Sequence, residues 1–243
     1  MNPINKLNLN INKILKSNNI RNKKINYLKS DTCIGKHIEI GLYWEEWMLD
    51  YLVKYYVKGS NMIDIGGNIG TTSMLMSEIL TENNYIYTFE PIYYDIIYKN
   101  ISDNNLHNKI KVYPCGLSNN NNSIFINNIN YDDKINYGAV SLENEEVTKI
   151  NDNNNKLELI IKKLDDFNID NISLIKIDVE NMEIKVLEGA INIIKKNKPT
   201  LLLECHIMDK FLLSNIWKVM KDELNYKYIK INKLNDFIFY INH

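Results

Sequence analysis

Residues 62–70 read Met62-Ile-Asp-Ile-Gly-Gly-Asn-Ile-Gly70. A short apolar run ends in Asp64, glycines follow at 66, 67 and 70, and a helical pattern opens at about Ile69. The reading is a buried strand, a tight glycine turn and a helix N-terminus. Glycine lets the backbone of such a turn approach a ligand closely. The helix start offers unpaired N–H groups to something anionic. A dinucleotide fingerprint G-x-G-x-x-G would require glycine at 66, 68 and 71, where the chain has Gly66, Asn68 and Thr71. A phosphate loop would end in Gly-Lys-Ser/Thr, and no such tripeptide follows. What remains is Asp-x-Gly-x-x-x-Gly.

Outward from this turn, strands and helices alternate. Strands are expected at residues 62–65, 85–89, 111–115, 172–177 and 200–204. Helices are expected at 69–80, 93–104, 183–195 and 211–224, and a closing antiparallel pair at 228–231 and 237–241. Residues 117–156 interrupt the rhythm with a strand at 123–127, a loop around Tyr137-Gly138 and an acidic patch, and another strand follows at 157–163. Upstream, residues 42–56 carry Trp44, Trp47, Met48, Tyr51 and Leu52 at helical spacing. This reads as packing against the core, with a lid carrying Tyr43 and Glu46 as the alternative. Residues 1–30 fit a strand period and a helix period equally. Alternation of this kind predicts an α/β fold: a seven-stranded, mostly parallel sheet, helices on both faces, and an antiparallel last strand. Residues 1–35 form an N-terminal extension and 36–243 one domain, with a specificity insertion around 117–156.

The 243 residues suit one large domain. The net charge of −1 gives no global attraction to nucleic acid or an anionic membrane. Arg21, Lys23 and Lys24 form at most a small basic patch. No apolar run reaches the roughly 18–20 residues of a membrane span. Cys33, Cys115 and Cys205 lack metal-ligand spacing and read as reduced thiols, which suggests a cytoplasmic protein.

The polar residues at the carboxyl ends of the five core strands are Asp64, Glu90, Cys115-Gly116, Asp178 and Glu204. Ligands of open α/β sheets bind outside those ends, where the strand order reverses. Glu90 lies 20 residues after Gly70, where an acid would accept both ribose hydroxyls of an adenosine. Loop and acid together describe a nucleoside site of the S-adenosylmethionine kind, with the methionine carboxylate at the helix start. The cofactor residues expected are Asp64, Gly66, Asn68, Gly70, Glu90 and Gly116.

Asp64-Ile-Gly-Gly-Asn-Ile-Gly70, Thr88-Phe-Glu-Pro91, Leu164-Asp-Asp-Phe167, Leu174-Ile-Lys-Ile-Asp-Val-Glu180 with Glu183, Leu187-Glu-Gly-Ala190, Lys198-Pro199 and Leu203-Glu204 resemble the FkbM family of methyltransferases in order and spacing. The resemblance spans roughly residues 40–206. It implies a Rossmann-like class I methyltransferase fold using S-adenosylmethionine, usually to methylate a hydroxyl oxygen of a sugar or secondary metabolite. The chain departs from the family pattern at Gly67, usually alanine, and at Asn181, usually glycine. Gly67 is expected to add backbone freedom. Asn181 is expected to preserve the turn, since asparagine best replaces glycine at positive φ.

Methyl transfer to oxygen needs a positioned acceptor and a destination for its proton. The candidate bases are Asp178, Glu180, Glu204 and His206, of which histidine alone titrates near neutrality unperturbed; Asp178, Glu204 and His206 are the catalytic residues expected. Glu180 reads as structural beside a helix start. No metal is expected; a divalent ion on Asp178 and Glu204 is the alternative. The expected partner is a sugar or small-molecule acceptor. A non-catalytic nucleoside-binding scaffold and a nucleic-acid methyltransferase are the competing readings.

Overall fold

The computed structural model describes residues 11–142, 156–231 and 235–241. The acidic patch at Glu143–Glu146 and the segment before Ile11 lie outside them. After a single turn, α1 (Ile11–Ile14), comes the hairpin β1 (Leu15–Ile20) and β2 (Lys23–Leu28), so the strand period prevails here. Its two linking residues, Arg21 and Asn22, have φ of 54° and 58°. Two left-handed residues match the twist of a two-residue hairpin. Then follow α2 (Ile34–Glu39), α3 (Met48–Tyr55), β3 (Asn61–Ile65), α4 (Thr71–Ile79), β4 (Ile86–Phe89), α5 (Tyr94–Asp103) and β5 (Ile110–Tyr113). The insertion contributes β6 (Gly116–Leu117), β7 (Asn122–Asn127) and β8 (Lys156–Lys162), a separate three-stranded sheet. The chain returns with β9 (Ile172–Ile177), β10 (Thr200–Glu204), β11 (Lys227–Lys230) and β12 (Asp236–Tyr240).

The central sheet has the expected seven strands, in the order β11-β12-β10-β9-β3-β4-β5. Five are parallel, and β12 runs antiparallel between β10 and β11. From β3 the chain winds outward through β4 and β5, then crosses back to β9. The strand order therefore reverses between β3 and β9, which opens a crevice at their carboxyl ends.

Side chains alternate across the sheet. Met62, Ile86, Leu174, Leu202 and Ile238 pack toward one core with α3, α4, α5 and the hairpin. Ile63, Ile65, Phe89, Ile175, Ile177, Leu201, Leu203 and Phe239 pack into a second core with Val186, Leu187, Ile194 and Phe211. Burial on both faces explains why these strands read as continuous apolar runs.

Three helices are shorter than their sequence periods predict. The 42–56 pattern becomes helical at Met48, because Gly41 and Glu45 take φ of 85° and 54° and turn the chain first. The helix expected at 183–195 is two, Glu183–Glu188 and Ile191–Asn197. Its break is a close crossing: a Cβ on Gly189 would lie 2.0 Å from the Ser118 carbonyl oxygen. The pattern at 211–224 is interrupted at Ser214, whose hydroxyl accepts from the Trp217 N–H and restarts the helix.

Asn100 on α5 joins the hairpin to the glycine loop and is fully buried. Its Nδ2 donates to the Ile69 and Asn26 carbonyls at 2.8 and 3.1 Å. Its Oδ1 accepts from the Asn26 backbone and side-chain amides at 2.7 and 2.9 Å. Truncation would strand several buried polar groups at about 1–3 kcal/mol each. Asn100→Ala is expected to cost about 3 kcal/mol in urea unfolding; an unchanged midpoint would show that these bonds do not hold the two elements together.

Candidate active site

The glycine loop is built by contacts that exclude larger residues. Gly66 has φ of 76°, and a Cβ there would meet the Asp178 carbonyl oxygen at 1.8 Å. Gly67 serves space rather than the backbone freedom expected of it: a Cβ would lie 2.4 Å from Thr88 Cγ2. The Gly66 and Gly67 amides donate to the Phe89 carbonyl at 3.0 and 3.1 Å. Gly70, at φ of 90°, caps α4, so the helix begins at Thr71. Asn181 takes φ of 77°, so asparagine does preserve that turn.

Glu90 ends β4 and is almost fully buried. Its Oε2 accepts from the Asn68 amide at 2.9 Å, and its Oε1 accepts from the Ile92 and Tyr93 amides at 2.7 and 3.0 Å. A carboxylate offers about four lone-pair sites, so acceptor capacity is left for a ligand hydroxyl. Burial pushes Glu90 up to about 6, against the three amides that favour its charged form.

Gly66, Asn68, Glu90 and Gly116 line one cleft of about 640 Å³, which opens to solvent. Ile92, Leu117, Val140 and Leu142 give it apolar walls. Tyr137 and Gly138 also line it, held by the bond from the Tyr93 hydroxyl to the Tyr137 carbonyl at 3.1 Å. The described part of the insertion thus reaches the same cleft as the glycine loop. Asp64 lies beneath the loop with no exposed surface, and its Oδ2 accepts from Ser73 Oγ at 2.5 Å. An apolar slot ending in a buried carboxylate acceptor fits a nucleoside, and the residues present fit S-adenosylmethionine.

A second, smaller cavity of about 250 Å³ lies beside it, lined by Glu45, Trp47, Met48, Lys176, Asp178, Glu204 and Asp236 among others. Asp178 lines both cavities. His206 Nε2 lies 3.1 Å from Glu204 Oε1, and its Nδ1 lies 2.8 Å from Asn235 Nδ2. With the Asn235 amide donating, the His206 proton sits on Nε2 and is given to Glu204. Both ring nitrogens are then engaged, so the arrangement orients Glu204. Glu204 also stands with Glu45 and Asp236, with ligand oxygens within 4.8 Å of one another. That set, which does not include Asp178, has the hard-oxygen chemistry of a divalent-cation site. Tyr43 and Glu46, the alternative lid residues, face elsewhere: Tyr43 donates to the Thr71 carbonyl at 2.7 Å, and Glu46 pairs with Arg21.

Lys176, Glu45 and Asp236 were not singled out from the sequence. Lys176 left a signal, as the one charge in the apolar run 172–177. Glu45 depends on a left-handed turn, and Asp236 on its register opposite Glu204. Neither has a sequence signature. The basic patch is internally neutralised. Arg21 pairs with Glu46 and Glu78, Lys23 with Glu78 at 3.0 Å, and Lys24 with Asp103 at 3.0 Å.

A family model described as a methyltransferase FkbM domain matches residues 64–228. Methyltransferase 1 of Beauveria bassiana (strain ARSEF 2860) is 26% identical over 170 residues, 63% of this chain and 68% of that protein. The crystal structure of methyltransferase FkbM from Methylobacillus flagellatus KT superposes with a TM-score of 0.51 at 16% identity, covering 79% of this chain. The chain spans 50% of the length of that structure. The structure of a putative rRNA-methylase from Clostridium thermocellum superposes with a TM-score of 0.50 at 9% identity, over 79% of this chain and 91% of that one. These two likenesses are likenesses of fold.

Two buried carboxyls, Glu90 and Glu183, and two half-buried ones, Glu45 and Glu204, predict a pH dependence of stability. Burial raises Glu45 to about 7, Glu183 to about 7 and Glu90 to about 6. Burial, and then the neighbouring charges of Asp178, Asp236 and Glu45, lift Glu204 well above the carboxylate range. Unfolded, each titrates near 4.5. Between those limits the folded state binds more protons than the unfolded, so stability falls as pH rises. The thermal midpoint is expected to drop from pH 5.5 to pH 8.5, and Glu204→Gln to flatten the alkaline part of the curve. A midpoint that rises over this window would contradict the assignment.

Proposed function

The chain belongs to the FkbM family of methyltransferases, and from that premise we propose that it carries methyl from S-adenosylmethionine to a hydroxyl oxygen of a sugar, glycan or small metabolite. The observation that carries this reading is Asp178, which lines both the nucleoside-sized cleft and the carboxylate-rich cavity beside it. Gly66, Asn68, Gly70, Glu90 and Gly116 would hold the cofactor, with Asp64 supporting the loop from beneath. S-adenosylmethionine supplies an activated methyl group when bound. The protein's task is then to hold the acceptor in line and receive its proton.

Asp178 suits that task as the carboxylate that accepts from the hydroxyl, while Glu204, which its surroundings keep protonated, suits orienting the acceptor by hydrogen bonding. In this reading His206 holds Glu204 in position. Trp47 also lines the second cavity, which encloses room for about one water molecule, so a sugar ring would seat at its mouth. The described cysteines are all unpaired, in keeping with a cytoplasmic protein. Among the described residues no helix is long and apolar enough to cross a membrane.

A nucleic-acid acceptor is disfavoured by the paired state of Arg21, Lys23 and Lys24. Among the described residues no free basic stripe accompanies the cavity, whose lining includes four carboxylates and one lysine. Phosphate recognition would require the opposite balance.

The test is methyl transfer from labelled S-adenosylmethionine to a panel of monosaccharides, glycans and hydroxylated metabolites. With an accepted substrate, Asp178→Asn is expected to lower turnover by on the order of 10²–10⁴ while cofactor affinity stays close to wild type. Full activity in that variant would remove Asp178 from the chemistry. Transfer to amines or RNA with no hydroxyl acceptor accepted would overturn the O-methyl reading.

A further inference from the structure

We propose that Lys176 is a positioning residue that locks the cofactor loop to the acceptor-side carboxylate, a role that rests on the methyltransferase reading above. Lys176 lies on β9, the central strand, and is 4% exposed. Its register partners are Asp64 on β3 and Leu202 on β10. The face it occupies is otherwise apolar along that strand, with Leu174 two residues before it. An aliphatic residue would fill this position without bringing a charge out of water. The presence of an ammonium therefore needs a reason beyond packing.

The reason is visible in its three partners. Nζ donates to the Gly66 carbonyl at 3.0 Å. It lies 3.3 Å from Asp178 Oδ2 and 3.6 Å from Asp64 Oδ1. Asp64 Oδ1 is fully buried and has no hydrogen-bond donor among the described residues, so its charge is balanced by Lys176 across that gap. An ammonium has three N–H donors and no acceptor. With three oxygens already around it, little of its capacity is left for a ligand. Lys176 reaches the lining of the second cavity, but its Nζ is engaged by Gly66 and Asp178, so it acts through them.

The consequence is a mechanical coupling. Gly66 lines the larger cleft at a turn with no room for a side chain, and Asp178 is a residue shared by the two cavities. One ammonium grips both. Without it, the Gly66 carbonyl loses its side-chain donor and Asp178 loses the cation that fixes its carboxylate. Donor affinity and acceptor geometry should deteriorate together.

The experiment is calorimetric titration of S-adenosylhomocysteine into wild type, Lys176→Met, Lys176→Arg and the double variant Asp64→Asn/Lys176→Met. Each is measured below its own thermal transition, with near-ultraviolet circular dichroism confirming a native fold. The double variant removes cation and buried anion together, so it guards against a Lys176→Met that fails to fold. Both methionine variants are expected to bind at least tenfold more weakly than wild type, with part of the loss recovered in Lys176→Arg. Wild-type affinity in the folded double variant would overturn the proposal. So would failure of both methionine variants to fold, which would assign Lys176 to the fold alone. Absence of binding by wild type would instead count against the methyltransferase reading.

Discussion

A buried ammonium among apolar strands is the constraint around which the carboxyl edge of this sheet is arranged. Taking Lys176 and Asp64 out of water costs on the order of several kcal/mol per ion, and neither could stand alone. Their adjacent register on β9 and β3 brings the charges within reach. Ser73 Oγ, itself 2.6 Å from Thr88 Oγ1, satisfies the remaining Asp64 oxygen. The network thus joins β4, β3, β9 and the first turn of α4 into one polar layer above two apolar cores. The glycine loop leaves the sheet from this layer, which is why its path tolerates so little extra volume.

The two cavities differ in the way that a donor site and an acceptor site should. The larger has apolar walls and backbone amides converging on Glu90, suited to a flat nucleoside with polar edges. The smaller is lined by carboxylates, a lysine and a tryptophan. Burial, and after it the neighbouring charges of Asp178, Asp236 and Glu45, raises the proton affinity of Glu204. A perturbed carboxyl of that kind is common where a site carries chemistry. It is also costly to the fold, in the manner of sites where polar groups are held for chemistry rather than stability.

What the sequence disclosed follows from which interactions are local. The strands with continuous apolar runs, the glycine turn and the acids at 64, 90, 178 and 204 were legible, because strand ends and turns have short-range signatures. The helix breaks at Gly189 and Ser214 were not, since one depends on a distant carbonyl and the other on a hydroxyl that restarts a helix within an unbroken apolar period. Glu45 and Asp236 join Glu204 only through tertiary register. His206 illustrates the same limit. Its residue type suggested a base, while the contacts that surround its ring come from Glu204 and Asn235, 2 and 29 positions away in the chain. Lys176 was written plainly in the run Leu174-Ile-Lys-Ile177, and a charge there is informative because buried parallel strands so rarely carry one.

The central claim is that the cleft between the glycine loop and Glu90 holds the nucleoside of the methyl donor. It is tested most directly by comparing S-adenosylhomocysteine binding to wild type and Glu90→Gln in one calorimetric series. Glutamine keeps the shape of the side chain, removes its charge and replaces one acceptor oxygen with a donor. The account predicts one site per chain in wild type, and an affinity weaker by roughly tenfold to a hundredfold in the variant, as expected for hydrogen bonds to a charged group. Equal affinities, or no binding by wild type, would contradict it.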